Sequence, residues 1–249
     1  MSNVHLHMTS TNPTLADQAS PETPDALISQ SRALTYWNSI PASEPGMLGG
    51  FEYISGMDLE SSSVFLKKLR ISSVASTEQP FARAVDCGAG IGRVSAGVLL
   101  QQCSTIDIVE PVEKFTSAST KISTLRSHNK LGDIYNVGLE SFHPIHLYDL
   151  IWNQWCLGHL NDVQLVAHFR RCRAALQSGG WIVVKENMVN DLQCEDIFDE
   201  VDSSVTRTEA KWNLLFRAAN LKIVATELQE GFPEELFPVR TWALQPEDS

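Results

Sequence analysis

The sequence predicts an α/β fold: an open, mostly parallel sheet with helices on both faces, ending in an antiparallel hairpin. Three observations predict it. Between residues 83 and 186 short apolar runs alternate with stretches of helical periodicity, the pattern of a parallel sheet. The run Val85-Asp86-Cys87-Gly88-Ala89-Gly90-Ile91-Gly92-Arg93 carries a buried strand into a glycine turn and then a helix. The last two apolar runs, 221–229 and 236–244, have no helix between them, so they should turn back on one another.

Residues 1–24 are rich in Ser, Thr, Asn and Pro without a periodic apolar face and read as a disordered tail. His5 and His7 lie in it, and a solvated tail explains them better than a metal does. Residues 25–249 read as a single domain. Asp25 can cap a first helix in which Leu27, Leu34, Trp37 and Ile40 recur until Pro41 ends it. The apolar loop Pro45-Gly46-Met47-Leu48-Gly49-Gly50-Phe51 is free to bend. A second helix, 57–70, should bury Leu59, Val64, Phe65, Leu66 and Leu69. Residues 25–70 are thus expected to form a helical lid, joined by the polar linker 71–80 to a core that starts at 81.

In that core seven strands are placed at 83–87, 105–109, near 133–137, 147–152, 180–186, 221–229 and 236–244. Helices are placed at 91–102, 112–126, 161–176 and 205–219. An acidic stretch from Asn190 to Asp202 interrupts the alternation, and 188–204 reads as an insertion.

A net charge of −11 counts against a nucleic-acid surface and suits a basic substrate. Five cysteines without C-x-x-C spacing point to reduced thiols rather than a disulfide framework or a zinc site. No apolar run approaches the roughly 20 residues of a membrane span, and no basic region precedes an apolar block at the N-terminus. A cytoplasmic chain, with the nucleus as a second compartment, is expected.

Gly88, Gly90 and Gly92 omit the Cβ atoms that would keep a ligand off the backbone, and the helix behind them points free N–H groups at the turn. Glu110 ends the next strand 20 residues after Gly90, the spacing of an acid that holds a ribose. The G-x-G-x-G form, with Asp86 before it and no second mononucleotide half, favours S-adenosylmethionine over NAD. Tight packing alone can also produce such a turn.

Four further stretches lie where cofactor and substrate would meet. In Gln154-Trp155-Cys156-Leu157-Gly158-His159, Gln154 could bond the cofactor, Trp155 offers a flat face for a proline ring or a cation, and His159 titrates near neutrality. Alone, Trp155 also reads as core and His159 as a bonded loop residue. Asn187 ends a strand and could bond an amine or serve as a turn residue. The carboxylates Asp196, Asp199, Glu200 and Asp202, with Ser203 and Ser204, would attract an ammonium, or Asp202 or Ser203 would cap the helix that follows. Trp37 with Met47-Leu48-Gly49-Gly50 could line a channel or simply pack.

Together these stretches resemble the protein α-N-terminal methyltransferases acting on Xaa-Pro-Lys, over about residues 32–244. The matching segments are Thr35-Tyr36-Trp37, Gly46 to Gly50, Asp86 to Arg93, Gln154-Trp155, Gly158-His159-Leu160, Asn187-Met188 and Asp199 to Val205. The resemblance implies a Rossmann-like class I methyltransferase fold and S-adenosylmethionine as cofactor, with no metal. It implies that Gly88 and Arg93 hold the methionine end, Glu110 beside Gly90 the ribose, and Leu139 and Glu140 the adenine, with Gln154 closing the pocket. On the substrate side Trp37, Leu48 and Gly49 would line the peptide channel and Trp155 would pack on the second-position proline. Asn187 would anchor the peptide's end, and Asp199 and Ser204 would bind the lysine ammonium. Asp202 and His159 would face the α-amine, which is largely protonated at pH 7 and must lose a proton to one of them. The implied partners are protein N-termini, including ribosomal and nuclear ones, met by a monomer. Two rivals remain: a methyltransferase for lysine or arginine side chains or small amines, and a catalytically silent partner-binding subunit.

Overall fold

A computed structural model describes residues 23–72, 79–189 and 195–247. Nearly all of the expected tail, most of the linker and the first part of the acidic stretch lie outside these residues. A 3-10 turn, Pro24–Leu27, precedes helix α1 (Gln30–Ser39), and α2 spans Ser55–Ser72. Strand β1 (Phe81–Cys87) runs through the glycine turn into a π-helical turn, Ser95–Leu99, continued by Leu100–Gln102. Then follow β2 (Cys103–Val109), α3 (Glu113–Ser117), α4 (Thr120–Ser127), β3 (Leu131–Tyr135) and β4 (Tyr148–Gln154). Helix α5 (Asp162–Ala174) and β5 (Leu176–Asn187) come next, and then the short strands β6 (Ile197–Asp199) and β7 (Ser204–Thr206). Helix α6 (Glu209–Ala218), β8 (Leu221–Leu228) and β9 (Val239–Pro246) complete the described chain.

Among the described residues seven strands form one sheet in the order β3-β2-β1-β4-β5-β9-β8. The first five pair in parallel, whereas β9 runs antiparallel to both β5 and β8. The chain winds outward from β1 to β3 and then returns to the other side of β1, so the switch point lies between β1 and β4. Crevices at the carboxyl ends of strands flanking such a point are where open α/β sheets bind ligands.

Alternation along the strands feeds two cores. Val85, Ile151, Phe169, Trp212, Phe216 and Trp242 pack on the face covered by α5 and α6. Ala84, Ile106, Trp152, Trp181 and Val183 pack with Phe65, Leu66 and Leu69 of α2 on the other.

Several boundaries differ from the sequence expectation for identifiable reasons. Ser29, not Asp25, caps α1 by accepting the Arg32 N–H, while Asp25 accepts the Asp162 N–H at 3.0 Å and so ties the N-terminal turn to α5. On α2, Val64 faces outward and Asp58 takes a fully buried position instead. The expected helix 112–126 breaks in two where the Ser119 hydroxyl caps α4. The helix expected from 205 starts at Glu209 under a Thr208 cap, because residues 197–206 form the β6–β7 hairpin. The last strand starts at Val239, immediately after Pro238, which has no N–H to give a ladder.

Candidate active site

The glycine turn is left-handed at three positions, with φ of +66° at Gly88, +55° at Gly90 and +77° at Gly92. An added Cβ at Gly88 would lie 2.3 Å from the Cys156 Cβ, and one at Gly90 would lie 2.7 Å from the Met47 Sδ. Glycine is therefore required by both conformation and space at Gly88 and chiefly by conformation at Gly90, where the Met47 side chain can give way. The Glu110 carboxylate closes the turn, accepting the Gly90 N–H through one oxygen and the Val112 N–H through the other, each at 2.8 Å. A carboxylate has about four acceptor positions, so both oxygens retain capacity toward the cavity they line. Burial pushes the Glu110 carboxyl up to about 7 and Asp86 up to about 6, although the Ser95 hydroxyl donates to Asp86 at 2.5 Å.

The cavity over this turn is walled by Leu139 and Glu140 on one side and Gln154 and Trp155 on another, and Gln30, Ala33, Leu34 and Trp37 of α1 cover it. Its floor is ionic. Asp58 of α2, fully buried, meets Arg93 at 2.7 Å and Lys185 at 2.6 Å and takes the Gln154 amide N–H at 2.9 Å on both oxygens. Arg93 is thereby fixed against the cavity, with its guanidinium 5.3 Å from the Trp155 ring centroid.

Trp155 adopts φ +52°, a conformation that costs a bulky residue ~1–3 kcal/mol. Its neighbours hold it there: the Lys185 carbonyl accepts the Trp155 N–H at 3.1 Å. One Glu186 oxygen accepts the Cys156 and Leu157 N–H groups, both at 2.9 Å. The strained turn presents the indole between the first cavity and a second one, with its Nε1 buried and unpartnered. His159 follows on the same loop. Its Nε2 accepts the Trp37 Nε1–H at 3.0 Å, which places the proton of the neutral ring on the buried Nδ1, on the side of the Ser203 backbone. Burial pushes the imidazole below its ordinary value, partly offset by the Asp202 charge nearby.

The second cavity shares Trp37, Met47, Leu48, Trp155 and His159 with the first and adds Tyr36, Gly49, Asn187, Asp199, Asp202 and Ser204. Asp202 Oδ1 is buried with no hydrogen-bond partner. An acceptor in that state costs free energy until a donor reaches it. Asp199 Oδ1 accepts the Val201 N–H at 2.7 Å, which orients its carboxylate within the hairpin.

Glu186 gives a testable pH effect. Burial pushes its carboxyl up to about 7, above the ordinary 4.5. The stabilisation from the neutral form is complete below about 4.5 and is lost as pH rises through about 7. Glu186→Gln keeps the carbonyl acceptor and cannot ionise. Its stability relative to wild type is therefore expected to improve by ~2–3 kcal/mol between pH 5 and pH 8, since each tenfold change in an ionisation equilibrium is worth about 1.4 kcal/mol. Urea unfolding at the two pH values checks this, and an unchanged difference would contradict it.

The structure gathers the residues to which the resemblance assigns roles into these two adjoining cavities, whereas Gly50, Gly92, Asp196, Glu200 and Ser203 line neither: Asp196 accepts the Thr208 N–H and the Ser203 hydroxyl accepts the Ser29 N–H. Gly88, Gly90, Arg93, Glu110, Leu139, Glu140 and Gln154 line the first, and Gly49, Asn187, Asp199, Asp202 and Ser204 the second. Trp37, Leu48, Trp155 and His159 sit at their junction. Sequence reasoning missed Asp58, Glu186 as the anchor of the Trp155 turn, and Phe232 and Leu236 of the β8–β9 loop; Phe237 of the same loop, where the sequence departs from the family's tyrosine and a peptide contact was not expected, also lines the second cavity.

A switch-point cradle shaped for one nucleoside, with a single mononucleotide half behind it, is the class I methyltransferase architecture, and the protein is a methyltransferase that uses S-adenosylmethionine. It belongs to the family of AdoMet-dependent proline di-methyltransferases, whose model matches residues 25–245. It is 46% identical over 224 residues to alpha N-terminal protein methyltransferase 1 of Schizosaccharomyces pombe, an alignment covering 88% of this chain and 97% of that one. It is 38% identical over 215 residues to N-terminal Xaa-Pro-Lys N-methyltransferase 1-A of Xenopus laevis, covering 86% and 94%. Among solved structures a SAM-dependent methyltransferase of Leishmania major superposes with a TM-score of 0.75 at 32% identity, over 86% of this chain and 82% of the other.

Proposed function

We propose that this enzyme methylates the free α-amino nitrogen of proteins whose N-termini read Xaa-Pro-Lys, with Xaa being Ala, Pro or Ser, after loss of the initiator methionine. The observation that carries the proposal is the unpartnered, buried Asp202 Oδ1 in a cavity that opens onto the cofactor cradle beside Trp155. The relatives named for Xaa-Pro-Lys methylation support the substrate class.

The cofactor cavity fits S-adenosylmethionine. The left-handed glycines leave room at the backbone, Glu110 retains acceptor capacity for ribose hydroxyls, Leu139 and Glu140 would flank the base, and Arg93 with Gln154 would hold the carboxylate end. When bound there, the cofactor supplies a methyl on positively charged sulfur, which a neutral amine nitrogen can accept.

The protein's part is to position and deprotonate that nitrogen. Trp155 offers its face to the proline ring, Leu48, Gly49 and Trp37 confine the chain, and Asn187 bonds the peptide end. Asp199 and Ser204 hold the lysine ammonium with charge-assisted hydrogen bonds. Asp202 Oδ1 accepts the α-ammonium N–H and then its proton. His159 is less suited to that step, because its Nε2 lone pair is engaged by Trp37. It instead sets the wall against which the amine lies. A proline N-terminus takes two methyls at most. We also read residues 25–70 as a lid over the core of a monomer, acting in the cytoplasm and nucleus on ribosomal and nuclear proteins with such N-termini.

Mass spectrometry of a Ser-Pro-Lys-Arg peptide incubated with enzyme and S-adenosylmethionine tests the proposal. Methyl gain is expected on the free peptide, none on its N-acetylated copy, and a strong loss of kcat/KM on a copy with glutamine at position three. Methylation of the acetylated copy would mean a side-chain enzyme.

A further inference from the structure

Lys185 lines neither cavity, yet its ammonium is fully buried and touches both sides of the site. Toward the cofactor it meets Asp58 at 2.6 Å, the same carboxylate that holds Arg93 and Gln154. In the other direction it donates to the Ser61 and Ser62 hydroxyls at 3.0 Å and to the Gln229 Oε1 at 2.9 Å. Gln229 is the root of the β8–β9 loop: its N–H donates to the Val239 carbonyl at 2.8 Å and its amide nitrogen to the Glu230 carbonyl at 2.9 Å. Three and more residues further on, Phe232, Leu236 and Phe237 line the peptide cavity.

Two buried cations therefore share one carboxylate among the described residues. A carboxylate arriving beside Arg93 would take up part of that cation's demand and leave Asp58 more fully to Lys185. Burial and the Arg93 charge both act against the ammonium form of Lys185, and Asp58 favours it. A second anion thus strengthens the charged lysine, and with it the charge-assisted bond to Gln229.

We infer that Lys185 is a positioning residue that ties the cofactor clamp to the root of the peptide-side loop, so that filling the cofactor cavity stiffens that loop. The inference rests on the cofactor and peptide cavities proposed above and adds a coupling between them, which by linkage must act in both directions.

Amide hydrogen exchange in residues 230–238, with and without S-adenosylhomocysteine, tests it. In the wild type, exchange in this loop should slow by about fivefold on binding. Gln229→Leu cuts the tether and leaves the buried ion pairs intact. It should bind S-adenosylhomocysteine within about twofold of wild type while losing the slowing. Lys185→Met should lose the slowing and bind roughly tenfold more weakly. Because Gln229→Leu spares the buried charges, it decides the matter even if Lys185→Met does not fold. Equal slowing in Gln229→Leu, or none in the wild type, overturns the inference. Slowing in the wild type without turnover of the Ser-Pro-Lys-Arg peptide would support the coupling and overturn the substrate assignment instead.

Discussion

Asp202→Asn is expected to lower kcat for α-amine methylation by ~10²–10⁴-fold, the range that one positioned proton acceptor contributes. The asparagine keeps the shape and one oxygen acceptor beside the amine, but it takes no proton. Only peptide that arrives already unprotonated can then react. The free α-amine fraction grows through the amine's pKa, near 7.7–8.0, and nears completion about one unit above it, so the variant's activity relative to wild type should rise from pH 6.5 toward pH 9. Steady-state kinetics across that range read out both the size and the slope. A ratio independent of pH would remove Asp202 from proton transfer and return that role to His159, whose Nε2 would first have to release Trp37.

The second large effect is expected from Gly88→Ala. An alanine must adopt φ +66°, at a cost of about 1–2 kcal/mol, and its methyl would sit 2.3 Å from the Cys156 Cβ. Overpacking of this kind typically adds ~1–3 kcal/mol. The backbone shift that relieves the overlap also moves the cradle, and a displacement of about 1 Å can cost roughly 10²-fold in turnover. Calorimetry with S-adenosylhomocysteine and thermal unfolding measure the two parts. The double variant Gly88→Ala with Cys156→Gly removes the atoms that the new methyl meets. It should recover the overlap share and leave the conformational share. Full affinity in Gly88→Ala alone would show that the turn is not the cofactor cradle.

What was legible in the sequence was what local chemistry dictates. A glycine turn after a buried strand specifies its own conformation, and Glu110 follows from the spacing between consecutive strand ends. The residues at the junction of the two cavities were found through short motifs combining several unusual side chains, such as Gln154-Trp155 with His159. Asp58 gave no such signal. One acid on a helix reads as a solvated face, and its burial depends on Arg93 and Lys185, which arrive from distant strands and turns. Glu186 is similar, because its role comes from two N–H groups on a loop about 30 residues earlier. Asp25 and Ser29 are both capping types, and only the packing of the first turn against α5 decides between them. Phe232 sits among prolines and acids that read as a plain hairpin turn, and Leu236 and Phe237 read as the start of the last strand, which in fact begins at Val239, so the joint contribution of the three to the second cavity depends on where the loop ends.

The place of β9 in the sheet has a consequence for how the chain is made. This last strand is interior, with β5 on one side and β8 on the other. Until its residues have left the ribosome, β5 and β8 each expose an unpaired edge, and Val183, Val184 and Ile182 of β5 lack the neighbours that bury them. Synthesis from the N-terminus therefore cannot complete the sheet domain-wise as it proceeds. Closure waits for residues 239–246, and translation that stops short of residue 239 releases a chain in which β5 and β8 each keep the edge that β9 would cover open, a species inclined to aggregate rather than one that is merely inactive.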